Sequence, residues 1–257
     1  MEEGQERQLI PEKIAVISVT DSSELTAKRL AAALGADTFR PEKGGLRALV
    51  ENIFHSYDGL IFIMASGIVI RMIAPLISDK YHDPAVITVD DACRYAISTL
   101  SGHEGGANDL CWKVASFLGA EAVITTASDT NRSIVLGIGC RKDISEEAVR
   151  ISIEEVLEEQ SLTIEDIRCA VSAELKKNEE GLLRAMEKLG IPLIFQPLEK
   201  IRSSCFEDVT PSDAAIRHFN IPGVSEPCAL LTAKNGRLIM KKKKIRGVTI
   251  ALAKEDI

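Results

Sequence analysis

The stretch LSGHEGGANDL at residues 100–110 gathers side chains and glycines whose types and spacing suit chemistry. His103 carries an imidazole whose ordinary pKa lies near neutrality, so it can take or give a proton. Glu104 and, further along, Glu180 are reserve candidates for a base. Gly102, Gly105 and Gly106 surround the histidine, and Asn108 follows. A glycine inside a helix costs up to about 1 kcal/mol relative to alanine, so adjacent glycines need a reason. Two reasons fit: amide donors at a helix start approached by a carboxylate or phosphate, or tight packing of a helix on a sheet. Ser101-x-x-Glu104 also has capping-box spacing, which predicts a structural task for both residues.

Other groups sit where strands should end. In ASGIVIR, Ser66 and Gly67 fall at the expected carboxyl end of a strand, and Arg71 lies one turn into the following helix. There it can hold a carboxylate or simply face solvent. GIGCR places Gly137, Gly139, Cys140 and Arg141 in an expected turn between a strand and a helix. The third glycine of the dinucleotide fingerprint is missing, which argues against an NAD site. Cys140 reads as a nucleophile or as a buried thiol. ELKKNEEGLL, with Lys176, Lys177, Glu179 and Glu180, is either a charged loop capping a helix or a lysine-carboxylate corner of a site. Lys241 to Lys244 either protect an edge strand or supply a field for an anion.

The elements needed to position these groups are legible as an alternation. KIAVISVT ends at Thr20-Asp21 and is followed by SELTAKRLAAAL, whose apolar spacing is helical; this is a strand feeding a helix across an N-cap. The pattern returns at DGLIFIMA with SGIVIRMIAPLI, at PAVITVD with the segment after Ser101, and at EAVITTA. A second series runs from SIVLGIGC through SEEAVRISIEEVLEEQ, RCAVSA, EEGLLRAMEKLG and IPLIFQP. Beyond TPSDAAIRHF the chain predicts two shorter helices, then strands at GRLIM and GVTIALA flanking the lysines. The fold class is therefore α/β: two Rossmann-like, three-layer α/β/α domains with mainly parallel sheets. The polar run SDTNR sets the boundary near Ser128 to Arg132, giving domains 1–130 and 131–257, packed side by side.

Composition narrows the function classes. The chain has 257 residues, 46% of them hydrophobic and 27% charged, as expected of a globular protein rather than a disordered one. Net charge is −7 and aromatic content 4%, so neither a basic field nor stacking platforms exist for nucleic acid. The polar, acidic MEEGQERQ start is not a secretory signal, and Arg71 and Pro75 interrupt the longest apolar run, so no membrane span is expected. Six cysteines without a CxxC pair suggest neither a metal site nor a redox motif, and point to reduced thiols in the cytoplasm.

SGIVIRMIAPLISDKYHDPAVITVDD, LSGHEGGAN and VITTASDT resemble the N-terminal domain of the CbiG family of cobalamin-biosynthesis proteins, the cobalt-precorrin-5A hydrolases. GIGCRKDIS, ELKKNEEGL, GVSEPCAL and GVTIALA resemble its C-terminal domain, which also occurs alone as the CobE protein. Longer members carry a middle domain between these two, whereas ITTASDT here runs almost directly into SIVLGIGC. The resemblance implies a cobalt-containing, partly methylated tetrapyrrole substrate, whose δ-lactone is opened by water and whose two-carbon bridge leaves as acetaldehyde. Cobalt then enters with the substrate and no other cofactor is needed. Such a flat polyanion calls for a cleft between domains rimmed by donors. On this reading His103 is the general base or acid, and the amides around Gly105 and Gly106 receive an oxyanion or carboxylate. Ser66, Gly67, Ser101, Gly102, Asn108, Gly137, Gly139, Cys140 and Lys176 line the substrate, while Arg71 and Arg141 grip its carboxylates. A non-catalytic corrinoid carrier is the alternative function. A homodimer or neighbouring enzymes of the pathway are the partners to look for.

Overall fold

The computed structural model describes residues 11–79, 81–127 and 131–256. The MEEGQERQ start, and Ser128 to Thr130 of the expected boundary, lie outside the described residues. The chain divides into two compact units, one ending at Thr126 and the next beginning at Ala127.

The first unit has a six-stranded sheet in the order β2-β1-β3-β4-β5-β6. Its strands are β1 (Ile14–Ser18), β2 (Asp37–Phe39), β3 (Gly59–Ile63), β4 (Ala85–Val89), β5 (Tyr95–Leu100) and β6 (Glu121–Val123). Its helices are α1 (Asp21–Leu34), α2 (Leu46–Ile53), α3 (Ser66–Ile73) and α4 (Ala107–Leu118). Side chains alternate across the sheet with the two-residue period of a strand. Val16, Ile61, Ile63 and Ile87 meet Leu30 of α1 and Leu110 and Val114 of α4. Ala15, Ile17, Leu60 and Phe62 meet Val50 and Phe54 at α2, and Val69 and Ile73 of α3. Both faces are thus covered, which is why β1, β3 and β4 read as uninterrupted apolar runs. Thr20 caps α1 as expected, its hydroxyl accepting from the Ser23 amide at 3.1 Å.

One strand departs from the expected alternation. PAVITVD does not lead straight into a helix: β4 turns back through Asp90 to Arg94 into β5, and the two pair antiparallel, Val89 opposite Ala96 and Val86 opposite Leu100. Asp90 Oδ1 closes this hairpin by accepting from the amides of Arg94 (2.7 Å) and Tyr95 (2.8 Å). Since β6 runs parallel to β5, both deliver their carboxyl ends to the end of the sheet where β1, β3 and β4 begin.

The second unit has five strands in the order β10-β11-β7-β8-β9. β7 (Ile134–Cys140), β8 (Ile167–Ala173) and β9 (Leu193–Gln196) are parallel, linked by α5 (Glu146–Glu159) and α6 (Glu180–Leu189). Three shorter helices follow, α7 (Leu198–Ser203), α8 (Asp213–Phe219) and α9 (Ser225–Thr232), then β10 (Arg237–Ile245) and β11 (Val248–Lys254). The last two strands pair antiparallel, with β11 beside β7. Half of this sheet's pairings are therefore antiparallel, where a mainly parallel sheet was expected.

Ile134, Leu136 and Ile138 of β7 face Val149, Ile153 and Val156 of α5 and Leu182 and Met186 of α6. The alternate residues include Gly137 and Gly139, which lie inside the strand rather than in a turn. A Cβ on Gly137 would stand 1.9 Å from the Ser225 carbonyl oxygen, so bare backbone there lets α9 come close and packing accounts for that glycine; one on Gly139 would meet the Val224 side chain at an ordinary 3.4 Å.

The lysine run lies within β10, an edge strand, rather than between two strands. Lys241 and Lys243 pair with Asp208 and Glu159, Arg246 pairs with Glu155, and Lys242 Nζ donates to the Thr210 and Pro211 carbonyls at 2.7 and 2.8 Å. Much of the expected positive field is spent on the acidic face of α5 and the nearby loop. Protection of the edge is the reading that the geometry favours.

Candidate functional site

Residues 101–106 form a compact turn ahead of α4, not the start of a helix. Its geometry corrects the capping box: the N-cap is Gly106, in the left-handed region at φ 79°, with no side-chain cap. The Ser101 hydroxyl instead donates to the Asp83 carbonyl at 3.0 Å. Ser101 carbonyl receives the amides of Gly105 (3.1 Å) and Ala107 (3.2 Å), and Gly102 carbonyl receives that of Asn108 (2.9 Å). The Gly105 amide is thus committed within the turn and is not a donor to an oxyanion.

The same turn explains its glycines. A Cβ on Gly102 would lie 2.7 Å from Thr126 Cγ2, and one on Gly105 would lie 2.5 Å from Ser101 Cβ. Gly106 supplies the positive φ. Asn108 is buried and joins β5 to the segment after β6: its Oδ1 accepts from Ser98 Oγ at 2.8 Å and its Nδ2 donates to Thr126 Oγ1 at 2.9 Å. Every one of these groups holds the loop that carries His103, and His103 itself stands exposed at its tip.

The segment leading into β4 is stitched to this loop through Asp83. The buried Asp83 carboxylate accepts from the Ser78 amide and hydroxyl at 2.9–3.0 Å, while its own carbonyl takes the Ser101 hydroxyl. His82 Nδ1 lies 2.7 Å from Asp79 Oδ2 in the same segment. The amides of Tyr81 and His82 and the His82 side chain hold the Asp79 carboxyl below its ordinary pKa. One end of the sheet therefore collects His82, His103, Glu104 and Thr126. His82, Thr126, Asp83 and Asp79 are residues here that the sequence did not flag, although SDKYHDP is dense in turn formers.

Ser66, Gly67 and Arg71 are not part of that assembly. α3 begins at Ser66, straight after β3, at the opposite end of the sheet. Arg71 is exposed and folds back on its own helix, donating to the Gly67 carbonyl at 3.0 Å. An open hollow of about 680 Å³ lies at this carboxyl end of β1 and β2, lined by Val19, Arg40, Pro41, Glu42, Lys43, Gly44 and Leu46. Its Arg40 is already paired with Asp21 and Glu24.

In the second unit the carboxyl ends of β7 and β8 bring together Cys140, Lys176 and Glu179. Lys176 Nζ lies 3.2 Å from Glu179 Oε2, their side chains 19% and 10% exposed. Glu179 Oε1 accepts from the Ile144 amide at 3.2 Å. Burial pushes the Cys140 thiol up to about 11, with Lys176 pulling down and Glu179 pushing up, so it is protonated at neutral pH and is no ready nucleophile. Glu180, a reserve candidate for the base, points to solvent and pairs with Arg184 at 3.0 Å; the inward carboxylate is its neighbour Glu179. Arg141 is exposed with its stem over Gly247, and its amide donates to the Gly247 carbonyl at 3.0 Å. Ser172, wholly buried on β8, has an Oγ without a hydrogen-bond partner.

Two α/β/α units, one with an exposed histidine on a hydrogen-bonded loop and one with a half-buried lysine at its strand ends, define the class as two-unit α/β proteins with open parallel-strand ends. Comparison with known proteins gives the family. The model described as cobalamin synthesis G N-terminal matches residues 48–129, and that described as cobalamin synthesis G C-terminus matches residues 134–253. The chain belongs to the cobalamin synthesis G family. It is similar to the cobalt-precorrin-5A hydrolase of Priestia megaterium, 28% identical over 308 positions and covering 82% of each chain. That many positions exceeds what 82% of 257 residues can fill, so this relative has residues opposite gaps here. The cobalt-precorrin-5A hydrolase of Salmonella typhimurium is 44% identical over 136 residues, which span 49% of this chain and 39% of that one. A crystal structure of a putative cobalamin biosynthesis protein G homolog from Sulfolobus solfataricus aligns over 95% of this chain and 98% of its own, at 20% identity and a TM-score of 0.40. Among the described residues no helix is long and apolar enough to cross a membrane.

Proposed function

We propose that the protein is a cobalt-precorrin-5A hydrolase, acting in the cytoplasm on a cobalt tetrapyrrole: water opens the δ-lactone and the two-carbon bridge departs as acetaldehyde. Support comes above all from the relative of that name in Priestia megaterium, which aligns over 82% of both chains, with both family models in order along the sequence. Cobalt is part of the substrate, and lactone opening needs an activated water and donors to the developing oxyanion; the freed hydroxyl then gives up its proton as the carbon–carbon bond to the macrocycle breaks, acetaldehyde leaves and the ring carbon takes up a proton.

His103 is the group that activates that water. It is exposed on a loop held by hydrogen bonds of Ser101, Gly105 and Asn108, and among the described residues no ion pair engages it. An open imidazole on a held loop suits proton transfer, for which reach to the reacting atom comes before pKa. His82, oriented by Asp79, is the second imidazole at that end of the sheet.

The gaps opposite the Priestia relative favour one rival, a carrier that binds the macrocycle without turning it over. Incubation with cobalt-precorrin-5A, followed by coupled reduction of acetaldehyde, separates the two. Aldehyde released in proportion to enzyme supports the hydrolase. A spectral change on binding with no aldehyde makes the protein a carrier.

A further inference from the structure

The ion pair in the second unit has more structure around it than a surface bridge. Glu179 is at the N-cap of α6, yet its carboxylate caps nothing in that helix. It turns instead to the Ile144 amide and to Lys176 Nζ. The first turn of α6 is pressed against the same loop, since a Cβ on Gly181 would stand 1.9 Å from the Ile144 carbonyl oxygen. Lys176 is thereby held at the carboxyl ends of two parallel strands, the place where open α/β sheets receive ligands.

Stability alone does not explain a charge at this place. Two ions taken so far from water gain little net, because desolvation offsets their attraction. Position is what the pair secures. An ammonium has three donors, and Glu179 takes one of those on Lys176. The lysines of β10 contrast with this: Lys241 and Lys243 lie on the strand and pair with exposed carboxylates.

We infer that Lys176 is a recognition point for a carboxylate on the substrate's rim, and that Glu179 is the residue that positions it. The inference rests on the tetrapyrrole reading above and adds to it which chemical group of the substrate the second unit reads. Glu179 acts through Lys176: anchored on the Ile144 amide, its carboxylate holds the ammonium at 3.2 Å and so fixes where its remaining donors point.

The test uses the whole chain and two cobalt corrinoids, cobyrinic acid with free carboxylates and its heptamethyl ester, titrated by absorbance. Lys176→Met should weaken binding of the acid about tenfold, the worth of one charge-assisted hydrogen bond, and leave the ester unchanged; Lys176→Arg should restore the acid. Glu179→Gln keeps an acceptor for Ile144 but removes the charge that holds Lys176. It should lose severalfold in affinity for the acid and nothing for the ester, and Lys176→Met should add little further loss in the Glu179→Gln background, because the two residues act as one unit. Equal losses for acid and ester, or none for either, overturn the role of Lys176. Unchanged acid affinity in Glu179→Gln, or the full loss from Lys176→Met in that background, overturns positioning by Glu179. If wild type binds neither corrinoid, the tetrapyrrole reading itself fails and this inference falls with it.

Discussion

Gly137 of β7 and Ser225 of α9 meet backbone to backbone, with the space for a β-carbon on Gly137 already taken by the Ser225 carbonyl oxygen. The contact sets how near α9 lies to the sheet. It also places the buried Glu226, whose carboxylate accepts from the Thr210 amide and hydroxyl and from the Lys242 amide at 2.6, 3.1 and 2.8 Å. Helix, loop and edge strand are thus locked together from one small residue.

Gly137→Ala should therefore destabilise the second unit by about 1–3 kcal/mol, the ordinary cost of overpacking a core. Gly139→Ala, which meets Val224 at 3.4 Å, should cost far less. Urea denaturation of both variants checks this; equal midpoints would mean that α9 can shift away without penalty.

Asn108→Ala should behave as a core substitution and not as a lost ligand contact. It removes the buried amide that joins Ser98 to Thr126 and opens a small void in its place, at a cost of about 1–3 kcal/mol. Thermal unfolding should shift, while corrinoid affinity measured well below the transition should not.

How far the sequence carried the fold depended on which signal each element gives. Uninterrupted apolar strands and capped helices were legible: β1 with Thr20 and α1, or α5 behind Ser145, whose hydroxyl accepts from the Ala148 amide at 3.2 Å. β5 was not, because TVDDACRYAISTL offers no glycine turn; Asp90 closes the hairpin with side-chain bonds and Cys93 takes a positive φ of 54°. Missing that reversal placed the Ser66 and His103 loops together, when reversal of one strand sends them to opposite ends of the sheet. Glycines misled for a related reason. Spacing shows that something comes close to Gly102 or Gly137, but only tertiary packing tells whether it is a ligand or, as here, the chain itself.

Cys140 should resist alkylation. Burial raises its thiol to about 11, so the reactive thiolate is scarce at neutral pH and grows only as pH climbs toward that value. With iodoacetamide near pH 8, mass mapping should find the exposed Cys205 modified well ahead of Cys140. Lys176→Met removes a positive neighbour that lowers the Cys140 pKa, and should slow Cys140 further. Rapid labelling of Cys140 in wild type would show that its thiol is more open and more acidic than its surroundings dictate.

His103→Ala isolates proton transfer from the architecture around it. The side chain is exposed and its loop is held by Ser101, Asp83 and Asn108 rather than by the imidazole, so unfolding should be unchanged within a few tenths of a kcal/mol. A general base contributes about a hundredfold or more to a rate, and acetaldehyde release from cobalt-precorrin-5A should fall by at least that factor with substrate binding kept. His82→Ala run alongside distinguishes the two imidazoles at this end of the sheet. If only that variant loses turnover, the base belongs to the Asp79–His82 pair and the exposed loop is a frame for the substrate; if both lose it, two proton transfers are shared between the loops that Asp83 joins.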